Sequence, residues 1–142
     1  MRATLILAAL LAAPFGPASA QLRPFNCVGA ERLETDIADL GFARGQARPR
    51  SLDALTDIVE LAKAEPARNV CVLGHAAAEE GGAQTAARLA AARAREVATE
   101  LAKLGVERDR IRAEARTRGF APRGPERRPG VRVVLMPEGS PS

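Results

Sequence analysis

The apolar residues of this chain follow two patterns, short runs typical of strands and longer repeats with helical spacing. Longer repeats, with apolar residues every three or four positions, lie at residues 52–65 and 83–104. The short apolar runs that predict strands lie at residues 37–43, 69–73, 109–115 and 131–136. Because these predicted strands alternate with the predicted helices, we expect one sheet covered by helices in an α/β sandwich.

Residues at the ends of the helical repeats indicate where the helices begin and end. Ser51 is a typical N-cap, and Asp53 follows it in the first turn, where a carboxylate interacts favourably with the helix dipole. Pro66 cannot continue the first helix, which is therefore predicted to end after Glu65. The second helix is predicted to end before Gly105.

One arginine, Arg93, falls inside the apolar stripe of the second predicted helix, between Leu89 and Val97. A buried arginine is costly unless it has a partner. The preceding strand ends at Gly74, and an acidic, glycine-rich loop joins it to this helix. The arrangement predicts an anion-binding site at Arg93. In the alternative interpretation its stem packs on the stripe and its head reaches water or a nearby acid.

The first twenty residues have the composition of an export signal. Arg2 precedes an apolar stretch that is too short to span a bilayer, and small residues at 18–20 fit a cleavage site before Gln21. The alternative is an uncleaved membrane anchor. Pro14 and Pro17 argue against it, because they interrupt the apolar stretch. Cys27 lacks the small, apolar residues that precede a lipid-attachment cysteine. We therefore expect an exported chain with no transmembrane segment after cleavage.

Charge and aromatic content argue against a nucleic-acid partner. The formal net charge of +4 falls to +3 when Arg2 is removed with the signal, and charges of both signs are interleaved. Phe25, Phe42 and Phe120 are the only aromatic residues after the signal, whereas nucleic-acid surfaces combine a basic stripe with stacking aromatics. The slight basicity suits an acidic wall polymer or an anionic lipid surface.

The two cysteines leave several interpretations open. Cys27 and Cys71 could form a disulfide in an exported chain, or Cys71 could be a small buried residue of a strand. A metal site of both cysteines with His75 would need a further ligand or an open position, and no ligand spacing supports it. Because no nucleophile is accompanied by a base, we expect neither an enzyme nor a cofactor, and a thiol-dependent or metal hydrolase is the least favoured class.

Taken in order, the motifs resemble the OmpA-like C-terminal domains that bind peptidoglycan. That family has a strand ending in GHTD, a helix with NxxLSxxRA, a Gly-Val turn, a GxG segment, which is replaced here by Ala115 and Thr117, and a closing NRRV strand. The resemblance covers roughly residues 37–136 and implies helices packed on a small mixed sheet in a two-layer sandwich. The matching residues are Phe42 with Gly45, Gly74–His75, Leu89 with Arg93–Ala94, Gly105–Val106 with Arg110–Ile111, and Val131–Val133.

The resemblance also implies a ligand. In the family, the Asp of GHTD holds the ammonium of a diaminopimelate side chain, and the helix arginine holds its carboxylate in a bidentate fork. Here Ala77 stands in place of that Asp, so of these two ligand-binding residues only the arginine, Arg93, is present. Glu79 or Glu80, in a loop one residue longer than usual, could replace the lost acid, although solvated loop charges are the alternative. Other departures from the pattern are Ala86, Ala90, Ala115, Thr117, Gly130 and Val131.

The ligand-binding residues expected from the resemblance are Arg93, Gly74, His75, Glu79, Glu80 and Arg132. His75 could instead simply hold its turn, and Arg132 could be an exposed strand residue. We expect a signal at residues 1–20, a lead-in at 21–36, the OmpA-like domain at 37–136 and a flexible tail at 137–142. The implied function is non-covalent peptidoglycan association in the periplasm, near the outer membrane or wall. The alternative is a scaffold that no longer binds the wall and instead contacts envelope proteins.

Overall fold

A computed structural model describes residues 23–116 and 130–140 of the chain. The predicted export signal, residues 117–129 with the family departure at Thr117, and the last two residues of the predicted tail lie outside the described residues. The elements are β1 (Ile37–Gly41), α1 (Leu55–Ala64), β2 (Val70–Gly74), α2 (Ala83–Lys103), β3 (Ile111–Ala115) and β4 (Gly130–Leu135), with one-turn 3₁₀ helices at Ala30–Arg32, Ala78–Glu80 and Arg108–Arg110.

The four strands form one mixed sheet in the order β1-β4-β2-β3. Strand β2 runs parallel to β3, and β4 is antiparallel to both of its neighbours. The parallel pair is joined through α2, as a crossover connection requires. The predicted two-layer sandwich, with helices packed on a small mixed sheet, is confirmed.

Alternating side chains of the strands divide the buried residues between the two faces of the sheet. The main core lies between the sheet and the helices, where Val72 and Val133 meet Leu55, Val97 and Leu101. A second, smaller core lies on the opposite face. Its residues are Phe25, Cys27, Ala30, Cys71, Leu73, Val134 and Met136.

The lead-in segment before β1 covers that second face and is covalently attached to it. Cys27 and Cys71 form a disulfide with an S–S distance of 2.02 Å and a Cα–Cα distance of 5.8 Å. Both residues are buried, at 1% and 0% exposure. The cysteine pair therefore belongs to the core, and neither sulfur is a thiolate available to a metal or a substrate.

Helix α1 begins later than the sequence predicts. Its first residue is Leu55, and Ala54 occupies the N-cap position without a side-chain cap. Ser51 is therefore not the N-cap; its Oγ accepts a hydrogen bond from the Asp53 N–H at 3.1 Å, within the turns that precede the helix. Leu52 is 36% exposed and lies outside the helix, so the propensity of Ser51 for local turns outweighed helix capping here.

Helix α2 has the predicted extent within one residue, but its buried stripe differs at both ends. Leu104 lies beyond the last helical residue and is 43% exposed. Leu89 is only partly buried and belongs to neither core, because it lies on the flank of the stripe. The buried residues of this helix are Ala86, Ala90, Arg93, Ala94, Val97 and Leu101.

Over residues 23–116 and 130–140, no helix combines the length and the apolar character that crossing a membrane requires.

Candidate functional site

Gly74 allows α2 to lie directly against the end of β2. A Cβ atom at this position would lie 2.0 Å from the carbonyl oxygen of Ala90 and 3.0 Å from the Cβ of Ala94. The distance to the Ala90 oxygen is too short for any real contact, so only glycine fits without a shift of the helix backbone. The predicted ligand residue Gly74 therefore acts through packing: it sets how close the helix that carries Arg93 comes to the sheet.

Arg93 is completely buried, at 0% exposure, and its guanidinium is surrounded by backbone carbonyl groups. Its Nε donates to the Gln46 carbonyl at 2.7 Å, Nη1 donates to the His75 carbonyl at 3.0 Å, and Nη2 donates to the Ala43 carbonyl at 3.2 Å. The Phe42 ring centroid lies 5.0 Å from the Arg93 Cζ, in the range of a cation–π contact. The position of the guanidinium is thus fixed by the loop after β1 and by the end of β2.

Glu80 forms a bidentate ion pair with this arginine. Its Oε1 accepts from Arg93 Nη2 at 2.7 Å, and its Oε2 accepts from Arg93 Nη1 at 3.1 Å. Backbone N–H groups complete the site: Gly45 donates to Oε1 at 2.8 Å and Ala77 donates to Oε2 at 3.0 Å. Four N–H donors therefore converge on one carboxylate, and that side chain is only 5% exposed.

The surroundings of Glu80 favour its ionised form. The hydrogen bonds from Arg93, assisted by those from the Gly45 and Ala77 backbones, lower the pKa of the Glu80 carboxyl to about 2, although burial opposes the shift. The carboxylate is therefore charged at neutral pH and is held by groups that complement its charge. The head of Arg93 is thus paired with a nearby acid, as in the alternative interpretation of the sequence.

The same contacts join two loops. The loop after β1 supplies the Gly45 N–H and the Ala43 and Gln46 carbonyls, and the loop after β2 supplies Glu80. Outside the ion pair, Arg44 Nη2 donates to the Glu79 carbonyl at 2.7 Å. The two loops therefore close over the guanidinium from opposite sides.

The structure brings some of the predicted residues together through their backbones. His75 accepts from Arg93 through its carbonyl, and its N–H donates to the Gly130 carbonyl at 2.7 Å. Glu79 is an exposed residue whose carbonyl accepts from Arg44. Of the two loop acids, Glu80 alone is paired with the arginine in the part of the chain that the structure describes.

Arg132 does not reach this site. In β4 it alternates with Val131 and Val133, which face the helices, and in the sheet register it lies beside Leu73 of the second core. It therefore lies on the opposite face of the sheet from Arg93. There its Nε and Nη2 donate to the two carboxylate oxygens of Asp39, each at 2.8 Å, and this pairing raises the pKa of the Arg132 guanidinium.

The groups that sequence reasoning missed are mostly backbone groups. Nothing in the residue types of Ala43, Gly45 or Gln46 shows that their amide or carbonyl groups point at Arg93. One signal did exist for Glu80: an acid three residues after Ala77 has the spacing by which a side chain accepts from the backbone N–H at the start of a turn.

Comparison with known proteins agrees with this architecture. The sequence model of the OmpA family matches residues 42–128, which is more than half of the chain. The chain belongs to the OmpA family. A search of curated protein sequences finds no match.

Two solved structures share the OmpA-like fold of this domain. The crystal structure of the peptidoglycan-associated lipoprotein from Burkholderia pseudomallei is similar with a TM-score of 0.54 and 19% identity, over 69% of this chain and 87% of that one. The OmpA-like domain of FopA1 from Francisella tularensis subsp. tularensis SCHU S4 is similar with a TM-score of 0.57 and 19% identity, over 73% of this chain and 75% of that one. At this identity the likeness concerns the fold.

Within the OmpA family pattern, Glu80 takes a different place from the one predicted for it. As a substitute for the missing Asp at Ala77, it would hold the ammonium of a ligand. Instead both of its oxygens are bound by Arg93 and by two backbone N–H groups. Glu80 therefore stands where the resemblance places the carboxylate of the ligand, on the arginine fork.

Proposed function

We propose that this OmpA-family domain associates non-covalently with peptidoglycan in the periplasm through a carboxylate receptor centred on Arg93. The observation that carries the proposal is the convergence of four N–H donors, from Arg93, Gly45 and Ala77, on a single carboxylate. Charge-assisted bonds of this kind are among the stronger hydrogen bonds, and a bidentate fork adds geometric selectivity. The carboxylate of a wall-peptide amino acid is a ligand of matching charge and shape.

Recognition in this domain would rest on the carboxylate end of the ligand. Ala77 carries no acid, and Glu80 is already bound to the guanidinium, so neither residue holds an ammonium group. The carboxylate of the ligand would therefore bind the guanidinium of Arg93, but its ammonium group would find no acidic partner. We expect weaker binding, and less discrimination at the ammonium end, than in family members that carry the GHTD motif.

Co-sedimentation with purified sacculi tests this function. The chain from residue 21 onward is expected to pellet with sacculi, and a soluble wall peptide with a free diaminopimelate carboxylate should release it. The matched competitor is the same peptide with that carboxylate amidated, which should release at least about tenfold less protein because it cannot form the charged fork. Equal release by both peptides would exclude a carboxylate receptor.

Two variants locate the site. Arg93→Lys keeps the charge but loses the fork, so we expect weaker pelleting. Arg132→Lys makes the same exchange on the opposite face of the sheet and should pellet like the wild type. Circular dichroism and thermal unfolding of both variants distinguish lost binding from lost folding. If Arg93→Lys and Arg132→Lys change sacculus binding equally, the ligand does not contact the protein at Arg93.

A second candidate function is an envelope scaffold without wall binding, and one observation favours it. Arg93 is fully buried, and its contacts with Glu80 and three carbonyls already engage the whole guanidinium. Absence of wild-type pelleting, together with a specific envelope protein captured by cross-linking, would favour the scaffold. The family membership suits a binding module in either case, and nothing in the site resembles a nucleophile with its base.

A further inference from the structure

The occupied receptor has a consequence for how its ligand enters. We propose that Glu80 is a tethered internal ligand, so that the loop which carries it must leave Arg93 before any external carboxylate binds. Glu80 would thus regulate the Arg93 site, and the identity of the natural ligand rests on the proposed wall binding. The receptor itself can be tested without the wall.

The four bonds of Glu80 make internal and external ligands mutually exclusive. Arg93 Nη1 and Nη2 each donate to one oxygen of Glu80, while the remaining contacts of the guanidinium go to carbonyls of Ala43, Gln46 and His75. An external carboxylate has no other face of this arginine to approach, because the side chain is completely buried. When an external carboxylate replaces Glu80, the buried charge of Arg93 stays paired. If Glu80 moved away without a replacement, that charge would be left unpaired.

The segment that carries Glu80 is short and can be displaced as one unit. It is a single 3₁₀ turn, Ala78–Glu80, and apart from the 5% exposed Glu80 side chain it buries no residue, so few apolar contacts resist its displacement. Gly81 and Gly82 follow with φ values of 121° and 87°, in backbone conformations that side chains rarely adopt. The start of α2 lies directly after them at Ala83. The turn can thus leave the receptor by rotation at the glycine pair, with the helix and its arginine left in place.

Tethering makes Glu80 a strong competitor. A group on a short tether has an effective concentration of roughly millimolar or more, and the apparent affinity of an external ligand falls in proportion to the fraction of open receptor. Removal of the Glu80 carboxylate should therefore raise the apparent affinity for an external carboxylate by at least about tenfold. Glu79 offers a matched control, since it is the adjacent glutamate and is exposed, whereas Glu80 is the acid that pairs with Arg93.

Rescue by a small carboxylate tests the receptor directly. Glu80→Ala should lower the melting temperature by at least about 5 °C, because Arg93 loses its buried counter-charge. Sodium acetate at about 100 mM should restore at least half of that loss, and saturably, whereas sodium chloride at equal ionic strength should not. Glu79→Ala leaves the Arg93–Glu80 ion pair in place, so acetate should stabilise this variant no more than chloride does. If acetate and chloride act alike on Glu80→Ala, the internal-ligand proposal is wrong.

Sacculus binding then separates the two proposals. Stronger pelleting of Glu80→Ala than of both the wild type and Glu79→Ala, at least about tenfold in apparent affinity, supports the internal ligand and the wall function together. Acetate rescue without pelleting of any variant would leave the internal ligand standing and contradict the wall function. Equal pelleting of all three proteins would leave the wall function standing and contradict the internal ligand.

Discussion

At the scale of single residues, Arg93 determines the candidate site. A buried guanidinium is stable only when its charge is paired and its N–H groups are satisfied. Arg93 meets both conditions with Glu80 and three backbone carbonyls. The sequence predicted that this arginine needs a partner. The pairing with Glu80 depends on the course of a loop with two glycines, which local rules do not fix.

The Glu80 carboxyl should make stability fall at acid pH. Its pKa is about 2 in the folded protein and 4.5 in an unperturbed glutamate, so it stabilises the fold above about pH 4.5. This contribution, on the order of 3 kcal/mol, is lost as the pH falls from 4.5 through 2. Denaturant unfolding of the wild type and Glu80→Gln between pH 7 and pH 2 should show two curves that converge at low pH.

Glu79→Gln is the control for this experiment. It removes the neighbouring carboxyl group but leaves the Arg93–Glu80 ion pair in place, so it should change the acid slope less than Glu80→Gln does. Parallel curves for the wild type and Glu80→Gln over the whole range would show that the ion pair makes no net contribution to the pH dependence.

Gly74 should tolerate no side chain. A Cβ in Gly74→Ala would lie 2.0 Å from the Ala90 carbonyl oxygen, so the backbone of α2 would have to shift, at a cost of about 1–3 kcal/mol. Gly41→Ala is the matched control, since a Cβ at this strand residue meets no atom within 4 Å and should change stability by less than about 0.5 kcal/mol. Chemical unfolding measures both. Equal effects would contradict the close helix–strand approach.

At the scale of elements, the second buried arginine closes the end of α1. Arg110, at 0% exposure, donates to the carbonyls of Ala62, Glu65 and Arg68, and its Nε donates to Glu107. The last carbonyls of a helix lack partners within the helix, and a cation interacts favourably with that end. The 3₁₀ turn before β3 thus holds α1 in place on the sheet.

Removal of this guanidinium should loosen α1 specifically. Arg110→Ala removes the donor of the buried Ala62 carbonyl and of the partly buried Glu65 and Arg68 carbonyls, so we expect a loss of about 3 kcal/mol and faster amide exchange in the last turn of α1. Arg108→Ala, in the same turn but exposed, should stay within about 0.5 kcal/mol of the wild type. Unfolding curves and hydrogen exchange measure the two effects. A loss spread evenly over the whole domain would argue against a cap at α1.

The strands show how far an apolar pattern can be interpreted. The run at residues 131–136 predicts a strand, and the structure has one at Gly130–Leu135. The run alone does not show that Val133 and Val134 face two different cores. Nor does it place Arg132 on the face away from Arg93, because the face of each residue follows from the sheet register and from what covers the sheet.

At the scale of the whole molecule, the disulfide attaches the lead-in to the second face of the sheet. A cross-link over 44 residues should stabilise the fold by about 4 kcal/mol in the chain-entropy model. The Cys27→Ser, Cys71→Ser double variant should lose that amount and expose the segment to trypsin at Arg32. Denaturant unfolding and limited proteolysis of the oxidised protein and the variant measure the two effects.

Reduction of the wild type provides the comparison. With the disulfide reduced, the wild type should resemble the double variant, whereas the variant itself should not respond to a reductant. Unchanged stability and protection of residues 23–36 after reduction would show that packing alone holds the segment.

Some properties follow from the sequence by itself. The order of strands and helices, the extent of α2 within one residue and membership of the OmpA family follow from apolar periodicity and from motifs that are local in the chain. The place of Arg93 on the apolar stripe of α2 follows as well, since it is fixed by helical spacing.

Only the tertiary structure decided what Arg93 contacts and what covers the second face of the sheet. The surroundings of the Arg93–Glu80 pair consist of backbone N–H and carbonyl groups from two loops, in which Gly45 and Glu80 are 35 residues apart, and such groups carry no residue code. Whether Cys27 and Cys71 are bonded, and on which side of the sheet Arg132 lies, likewise depend on contacts between distant segments. The sequence thus determined that an arginine needs a carboxylate, and the folded chain supplied that carboxylate from its own Glu80.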